Sequence, residues 1–230
     1  MTSSPLLVSC VIFDADNTLY FTKKASKLGY QALFQFLHSK TGVPLERLEE
    51  VHAQIVNKIK LDPNPSVRKR EYSLQLLLQK FFKDTPQLLA ESVEVFWEVV
   101  GKNLQPARGV KSLISDLHKE YKLVVASDEF QKALMLKLRV VLGGYDQFEM
   151  LVTPEVAKSM KPSRAYYDTI INEFSLLPRR VVMVGDSWVR DLEAAKEVGL
   201  RTVLVAETKE GEPDYWIKEL DDLRGILSGV

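Results

Sequence analysis

The sequence lacks the features that mark secreted, membrane-spanning and disulfide-bonded proteins. It has one cysteine, Cys10, so an intramolecular disulfide is impossible and a reducing compartment fits. No apolar run approaches the roughly 18–20 residues of a membrane span, and we see neither the basic start nor the long apolar core of a signal peptide. We therefore expect a cytoplasmic protein that has no membrane partner.

An excess of charge, internal repeats and low-complexity tracts are also missing. Lys and Arg together number 31, as do Asp and Glu, so there is no overall basic field to attract nucleic acid. Hydrophobic residues make up 46% of the chain, which is enough for a packed core and argues against disorder. At 230 residues, the chain can hold one large domain, or one domain with a smaller insert.

The first informative stretch is an apolar run that ends in acidic residues. Leu6 to Phe13 is typical of a strand buried on both faces, as in a parallel sheet. Asp14 then follows at the end of that strand, where open α/β sheets bind ligands. A carboxylate there can attack an electrophile, with Asp16 to carry a proton and Thr18 to bind an anionic oxygen. The alternative is an ordinary polar turn, since Asp and Asn are common in turns.

The next eighty or so residues have the periodicity of helices. Amphipathic patterns predict four helices, at about Thr22–Lys40, Pro44–Ile59 and Ser66–Phe82 and from Thr85 onward, with Tyr72 facing inward in the third. Asp62-Pro63-Asn64-Pro65 is a break, and Phe96 and Trp97 are expected in the core. Short connections between such helices predict a small four-helix bundle.

From Pro106 onward, short buried strands alternate with helices. The strands are predicted at Leu123–Ala126, Met150–Thr153, Val181–Val184 and Thr202–Val205, and the helices at Gly109–Tyr121, Gln131–Leu142, Ser163–Phe174 and Val189–Val198. This alternation predicts an α/β fold with a Rossmann-like, doubly wound parallel sheet. We expect residues 1–20 and 105–230 to form this core and residues 21–104 to be an all-helical insert.

Polar side chains follow three of the predicted strands, and a lysine lies between them in sequence. The residues are Asp14, Asp16 and Thr18, then Ser127, then Lys161, then Asp186 and Asp191. Three carboxylates at one sheet edge would repel one another unless a cation lay among them, and oxygen-only ligands suit Mg²⁺. A lysine and two hydroxyls beside the metal would bind a tetrahedral anion such as phosphate. This combination is what phosphoryl transfer requires.

These motifs, taken in order, resemble the haloacid dehalogenase superfamily of aspartate-nucleophile hydrolases. They are Asp14-Ala15-Asp16-Asn17-Thr18, Ser127, Lys161-Pro162, and Gly185-Asp186-Ser187 through Asp191. Each motif alone is weak, but four in the family's order are specific. The helical insert resembles the cap domain that closes over the active site in this family.

The resemblance implies a role for each of these residues. Asp14 would be the nucleophile, and Asp16 the general acid and then the base. Asp14, Asp186 and the backbone carbonyl of Asp16 would hold Mg²⁺. Thr18 and Ser127 would bind phosphoryl oxygens, and Lys161 would neutralise charge. Asp191 would orient Ser187 or Lys161.

Asp16 distinguishes between the activities of this family. Its dehalogenases lack an acid at that position, because a halide leaves without a proton. We therefore expect a phosphatase that acts on a small-molecule phosphate ester. A phosphomutase, which uses the same groups, and a non-catalytic binding protein that kept the fold remain as alternatives. The sequence does not indicate the oligomeric state.

Several other residues leave alternatives open. Asp128 and Glu129 depart from the Asn and Gly that often follow the serine in this family. They would either point away, pair with Lys161 or with a cation of the helical insert, or select a substrate that has a positive group. Lys158 is a rival to Lys161. The three histidines, His38, His52 and His118, lack metal-ligand spacing. The basic residues at 68–70 would either receive an anionic substrate or, as we expect, form a solvated helix face.

Overall fold

The computed structural model describes residues 8–62, 64–83 and 85–228. Leu6 and Leu7 of the predicted first strand and Pro63 of the predicted break lie outside these residues. Two compact units are present: one runs to Phe21 and resumes at Gln105, and the other is Thr22–Leu104. Within the described residues, no helix combines the length and the apolar character needed to cross a membrane.

A parallel sheet forms the centre of the first unit, as the sequence predicts. Its strand order is β5-β4-β1-β6-β7-β8, and every neighbouring pair is parallel. The strands are β1 (Cys10–Asp14), β4 (Lys122–Ala126), β5 (Met150–Val152), β6 (Val181–Gly185), β7 (Arg201–Val205) and β8 (Tyr215–Ile217). A separate two-stranded pair joins β2 (Tyr20–Phe21) and β3 (Gln105–Pro106).

The central strand, β1, sets the position of the functional residues. All five of its residues are buried, because helices cover both faces of a doubly wound sheet. Asp14 pairs in register with Ala126 of β4, and Phe13 pairs with Val184 of β6. The three strands therefore end side by side. The chain builds β4 and β5 on one side of β1 and returns to β6 on the other side, which makes this the switch point where such sheets bind ligands.

The α-helices of the first unit alternate with the strands along the chain, and the last of them follows β8. They are α5 (Val110–Leu117), α6 (Gln131–Leu142), α7 (Pro154–Ala157), α8 (Arg164–Glu173), α9 (Glu193–Glu197) and α10 (Leu223–Ser228). The prediction of one α-helix over Val189–Val198 was wrong, because Trp188–Leu192 forms a π turn before α9 begins. β8 was not predicted from the sequence.

The second unit consists of helices in its described part. They are α1 (Lys23–Thr41), α2 (Leu45–Lys60), α3 (Arg70–Gln79) and α4 (Pro86–Asn103). Gly42 caps the C-terminus of α1, where it has a φ of 72° and donates its N–H to the carbonyl of His38. α1 and α4 pack closely at Gly29, where an added Cβ would lie 2.8 Å from Val100 and 2.9 Å from Phe96. The expected burial of Phe96 and Trp97 is confirmed.

The third predicted helix needs two corrections. Its first turn is a 3₁₀ helix, Pro65–Arg68, and α3 begins only at Arg70, because Lys69 has the extended torsions φ −59° and ψ 134°. Tyr72 is exposed rather than inward-facing. α3 buries a different face, which carries Leu74, Leu77 and Leu78.

Arg70 does not belong to a solvated helix face. Its guanidinium lies over the rings of Phe96, at 4.4 Å, and Trp97, at 4.8 Å. Its Nε also donates to the hydroxyl of Tyr30. Cation–π contacts of this kind stabilise a guanidinium that is partly removed from water. This basic residue therefore helps to hold α1, α3 and α4 together.

His52 is buried beside Arg70 in the second unit. Ser73 donates its hydroxyl to the carbonyl of Arg70, so the imidazole Nε2 of His52, 3.3 Å from that hydroxyl, is placed as a donor. Burial, and then the charge of Arg70, lower the pKa of His52 to about 4. The imidazole of His52 is therefore neutral in the folded protein, and its protonation opposes folding.

We expect His52→Gln to reduce the acid sensitivity of the second unit. The folded pKa lies below the unfolded value of about 6.5. Stability is therefore complete above that value and is lost as the pH falls toward 4. The loss for His52 amounts to roughly 2–3 kcal/mol between pH 7 and 4. Urea unfolding across this range measures it. His38→Gln, at an exposed position, is the control. The prediction is contradicted if the free energy of unfolding depends on pH equally in the wild type and in both variants.

Candidate active site

A tight turn after β1 returns the chain to the end of the sheet. The N–H of Leu19 donates to the carbonyl of Ala15, and the N–H of Asn17 donates to the carbonyl of Tyr20. Asn17 has a φ of 67°, a left-handed conformation that asparagine tolerates better than most residues. This turn places Asp14 and Asp16 on the same cavity.

Asp14 is buried and contacts two other predicted site residues. Its Oδ1 accepts a short hydrogen bond from the ammonium of Lys161. Its Oδ2 accepts from the hydroxyl of Thr18, at 3.0 Å. The carboxylate is therefore fixed in orientation at the end of β1. The phosphate contact expected of Thr18 stays a prediction, and what its hydroxyl does here is to orient Asp14.

Lys161 joins Asp14 to Asp191. Its Nζ lies 2.6 Å from Oδ1 of Asp191, whose Oδ2 accepts from the backbone N–H of Ser187 at 3.2 Å. Asp191 is thus fully engaged by the protein, which is the arrangement expected of a residue that orients Lys161 and Ser187. Lys158, the rival candidate, is exposed and does not line this cavity.

The π turn brings Asp191 back onto β6. A Cβ added to Gly185 would lie 2.6 Å from the Cβ of Asp191, so only glycine allows this approach. Tyr167 of α8 donates its hydroxyl to the carbonyl of Asp191 at 2.7 Å. π turns are rare and occur often at functional sites. The close approach explains why a regular helix does not begin directly after Ser187.

Ser127 and Asp128 follow β4 on the other side of β1. Ser127 is buried and lines the cavity, and its Oγ accepts from the N–H of Glu129 at 3.0 Å. Asp128 accepts from the backbone N–H of Lys161 at 2.9 Å and pairs with Arg190. Asp128 therefore fastens the loop that carries Lys161, and its ionic partner is Arg190, which was not among the cations expected from the sequence.

Asp16 and Glu129 share a lysine that sequence reasoning missed. Lys137 Nζ lies 2.8 Å from Oδ1 of Asp16 and 2.8 Å from Oε2 of Glu129. The signal was present, because a lysine at this position of α6 interrupts the buried face formed by Leu134, Leu138 and Val141. Charged residues on such a face are almost never buried without partners.

The functional candidates line one cavity of about 330 Å³. Asp14, Asp16, Ser127, Lys161, Asp186, Ser187 and Asp191 all contribute to it, together with Asn17, Asp128, Glu129 and Arg190. Of the predicted residues, Thr18 alone is missing from this lining. None of the three histidines lines it either.

The carboxylates in this cavity can hold a divalent cation. Oxygen atoms of Asp14, Asp186 and Asp191 lie within 4.8 Å of one another. Burial raises the pKa of Asp14 against the opposing effect of Lys161, and together with the charges of Asp191 and Asp186 it brings that pKa to about 8. Burial, followed by the charge of Asp191, raises the pKa of Asp186 to about 6. A bound cation would relieve this repulsion, so the donor set fits a hard metal ion.

Comparison with known proteins identifies related hydrolases. The model of the haloacid dehalogenase-like hydrolase family matches residues 8–199. The glyceraldehyde 3-phosphate phosphatase of Methanothermobacter thermautotrophicus is 28% identical over 211 residues, which cover 91% of each chain.

Two solved structures have the same fold. A 2-haloacid dehalogenase from Pseudomonas syringae has a TM-score of 0.78 at 25% identity, over 96% of this chain and 99% of that one. A phosphatase from Thermococcus onnurineus has a TM-score of 0.74 at 24% identity, with the same coverage. The overall fold therefore does not separate the two activities, and the residues of the site must do so.

The family match includes every strand end that contributes to the cavity, from Asp14 to Asp191. It also covers most of the chain. This chain therefore belongs to the haloacid dehalogenase-like hydrolases.

Proposed function

We propose that the protein is a Mg²⁺-dependent phosphatase that hydrolyses a small phosphorylated metabolite through an aspartyl-phosphate on Asp14. The observation that carries this proposal is the buried Lys161, which contacts both Asp14, at the end of β1, and Asp191, in the π turn that follows β6. A fixed carboxylate beside a fixed ammonium offers a nucleophile and a positive charge to the same phosphoryl group. Its curated relatives support a phosphoric monoester hydrolase.

The first chemical step transfers the phosphoryl group to Asp14. An oxygen of the Asp14 carboxylate forms a bond to phosphorus, and the bond between phosphorus and the ester oxygen breaks. Asp16 gives its proton to the departing oxygen, which leaves as an alcohol. Lys161 stays beside Asp14 and balances the charge that gathers on the phosphoryl oxygens, while Ser127 donates its hydroxyl to one of them.

The second step returns the enzyme to its starting state. Asp16, now a carboxylate, takes a proton from a water molecule whose oxygen forms a bond to phosphorus. The bond between phosphorus and Asp14 breaks, and inorganic phosphate is released. Across both steps an ester and a water molecule become an alcohol and phosphate, with Asp14 and Asp16 restored. The two residues on one turn can thus serve both halves of the cycle.

The metal would be held by Asp14, Asp186 and the backbone carbonyl of Asp16. The half-buried Asp186 lies within reach of Asp14, and the side chain of Asn17 donates to it. When bound, Mg²⁺ supplies positive charge to the transferring phosphoryl group. Asp191 contacts Lys161 and the backbone N–H of Ser187, which is why we assign it an orienting role.

Asp16 favours a phosphatase over a dehalogenase. An alkoxide is a poor leaving group and needs a proton, whereas a halide does not. Asp16 lines the cavity two residues after Asp14, where it can supply that proton. A phosphomutase would use the same residues, and the panel of esters below distinguishes it, because a mutase transfers the group without net release of phosphate.

The substrate is proposed to be small. A cavity of about 330 Å³ lies at the lower end of the range for small-molecule sites. The relative from Methanothermobacter is named for glyceraldehyde 3-phosphate, so triose phosphates belong first on a substrate panel, followed by other phosphorylated sugars, nucleotides and amino acids.

Phosphate release is the direct test of this function. The wild type should release phosphate from an aryl phosphate and from at least one metabolite of the panel when Mg²⁺ is present. Asp14→Asn should fall below about a thousandth of that rate, because the nucleophile is lost. Asp168→Asn, which breaks a surface ion pair on α8, is the matched control and should keep the wild-type rate. Turnover at the wild-type rate by Asp14→Asn would contradict the proposed mechanism.

Metal binding can be tested without any substrate. Millimolar Mg²⁺ should raise the unfolding temperature of the wild type, by about 2–4 °C for each kcal/mol of binding free energy. Asp186→Asn should lose most of this increase, because the variant removes a proposed ligand. The control, Asp168→Asn, should keep it. If Mg²⁺ stabilises Asp186→Asn as well as the wild type, the metal does not bind at this cluster.

A further inference from the structure

Lys137 is an unusual residue for the interior of this fold. It lies on α6, and its side chain is only 4% exposed. Its neighbours on the same helix face are apolar, among them Leu134 and Leu138. A leucine or methionine would fill this position without the cost of removing an ammonium from water. The charge of Lys137 therefore needs an explanation beyond packing.

That charge is directed at Asp16. Lys137 Nζ lies 2.8 Å from Oδ1 of Asp16 and 5.7 Å from the centre of the Tyr20 ring. Asp16 and Tyr20 are at the two ends of the turn that follows β1, where they form an isolated bridge. The ammonium thus fixes one carboxylate oxygen of Asp16 and leaves the other oxygen free of this contact.

Glu129 holds Lys137 in place. Its Oε2 accepts from Lys137 Nζ at 2.8 Å, and its own side chain is 17% exposed. Glu129 comes two residues after Ser127, so the loop that ends β4 reaches the same lysine as the turn that ends β1. Two carboxylates that bind one ammonium restrict its position more than either would alone.

We propose that Lys137, held by Glu129, is a positioning residue that aligns the Asp16 carboxylate with the oxygen that leaves the substrate. This inference rests on the proposed phosphatase function and deepens it. Without Lys137, Asp16 would face the negative charges of Asp14 and Glu129 and would turn toward solvent, because a third of its side chain is already exposed. Misplacement of a catalytic group by about 1 Å can cost a hundredfold in rate.

A purely structural role predicts a different outcome. If the ion pairs only fasten α6 to the turn, their loss should lower stability or slow every substrate equally. If they position the proton donor, the fall in rate that follows their loss should depend on the leaving group. The phenolate of an acidic phenol can leave without a proton, whereas the alkoxide of an alkyl phosphate needs one. The dependence of rate on the leaving group therefore separates the two roles.

The test uses Lys137→Met, in which a chain of similar length lacks the charge. We expect kcat to fall ten- to a hundredfold on an alkyl phosphate such as glycerol phosphate and less than threefold on 2,4-dinitrophenyl phosphate, with KM within about threefold on both. Lys132→Met, an exposed lysine on the same helix, should match the wild type on both esters. An equal loss on the two esters would overturn the inference.

A double-mutant cycle tests whether Lys137 acts through Asp16. In an Asp16→Ala background, Lys137→Met should have no further effect on the alkyl ester, because the group that it positions is gone. If the double variant instead shows the product of the two single fold-losses in rate, Lys137 does not act through Asp16. Binding of inorganic phosphate with Mg²⁺, measured by calorimetry, should be unchanged in Lys137→Met, since Asp14 and Lys161 are intact. A lost phosphate site would also contradict the proposal.

Glu129→Gln covers the case in which Lys137→Met fails to fold. It keeps the shape and an acceptor oxygen, and we expect a smaller loss with the same dependence on the leaving group. An equal loss on both esters would again overturn the inference. A wild type that releases phosphate from no ester would instead refute the proposed function, so the two failures are distinguishable.

Discussion

The contact of Lys161 with Asp14 and Asp191 is the interaction on which the site depends. Three acidic groups, Asp14, Asp186 and Asp191, come within a few ångströms of one another in a partly buried cavity, and without a cation they would repel strongly. Lys161 offsets two of them directly. The backbone N–H of Lys161 donates to Asp128, so hydrogen bonds fix this residue both at its backbone and at its ammonium. Repulsion that remains is what a divalent metal would relieve.

The sheet creates this meeting of charges. β4, β1 and β6 are neighbours in parallel register, and their carboxyl ends bring residues that are more than a hundred positions apart in sequence into one cavity. Buried strands keep this geometry rigid, since every residue of β1 and β6 is removed from water. The polar residues can then be arranged in the loops without loss of the core.

Much of this architecture could be predicted from the sequence. The buried runs before Asp14, Ser127 and Asp186 indicated parallel strands, and the sheet is confirmed. What could not be predicted depends on long-range contacts. The π turn exists because Asp191 packs against Gly185, and Arg70 is held by rings from other helices. Lys137 meets Asp16 across 121 positions of sequence, a distance over which no local pattern carries information. The assigned roles of the site residues stay predictions until chemistry tests them.

The central claim is that Asp14 becomes phosphorylated. The most direct measurement mixes the enzyme with Mg²⁺ and an aryl phosphate that has a good leaving group, quenches the reaction with acid in the first turnover, and reduces the product with borohydride. This reduction converts an aspartyl-phosphate to homoserine, which mass spectrometry of the peptides can locate. The account predicts homoserine at position 14 in the wild type and none after Asp14→Asn. Conversion at another residue, or a burst of the released phenol with no modified residue, would contradict it.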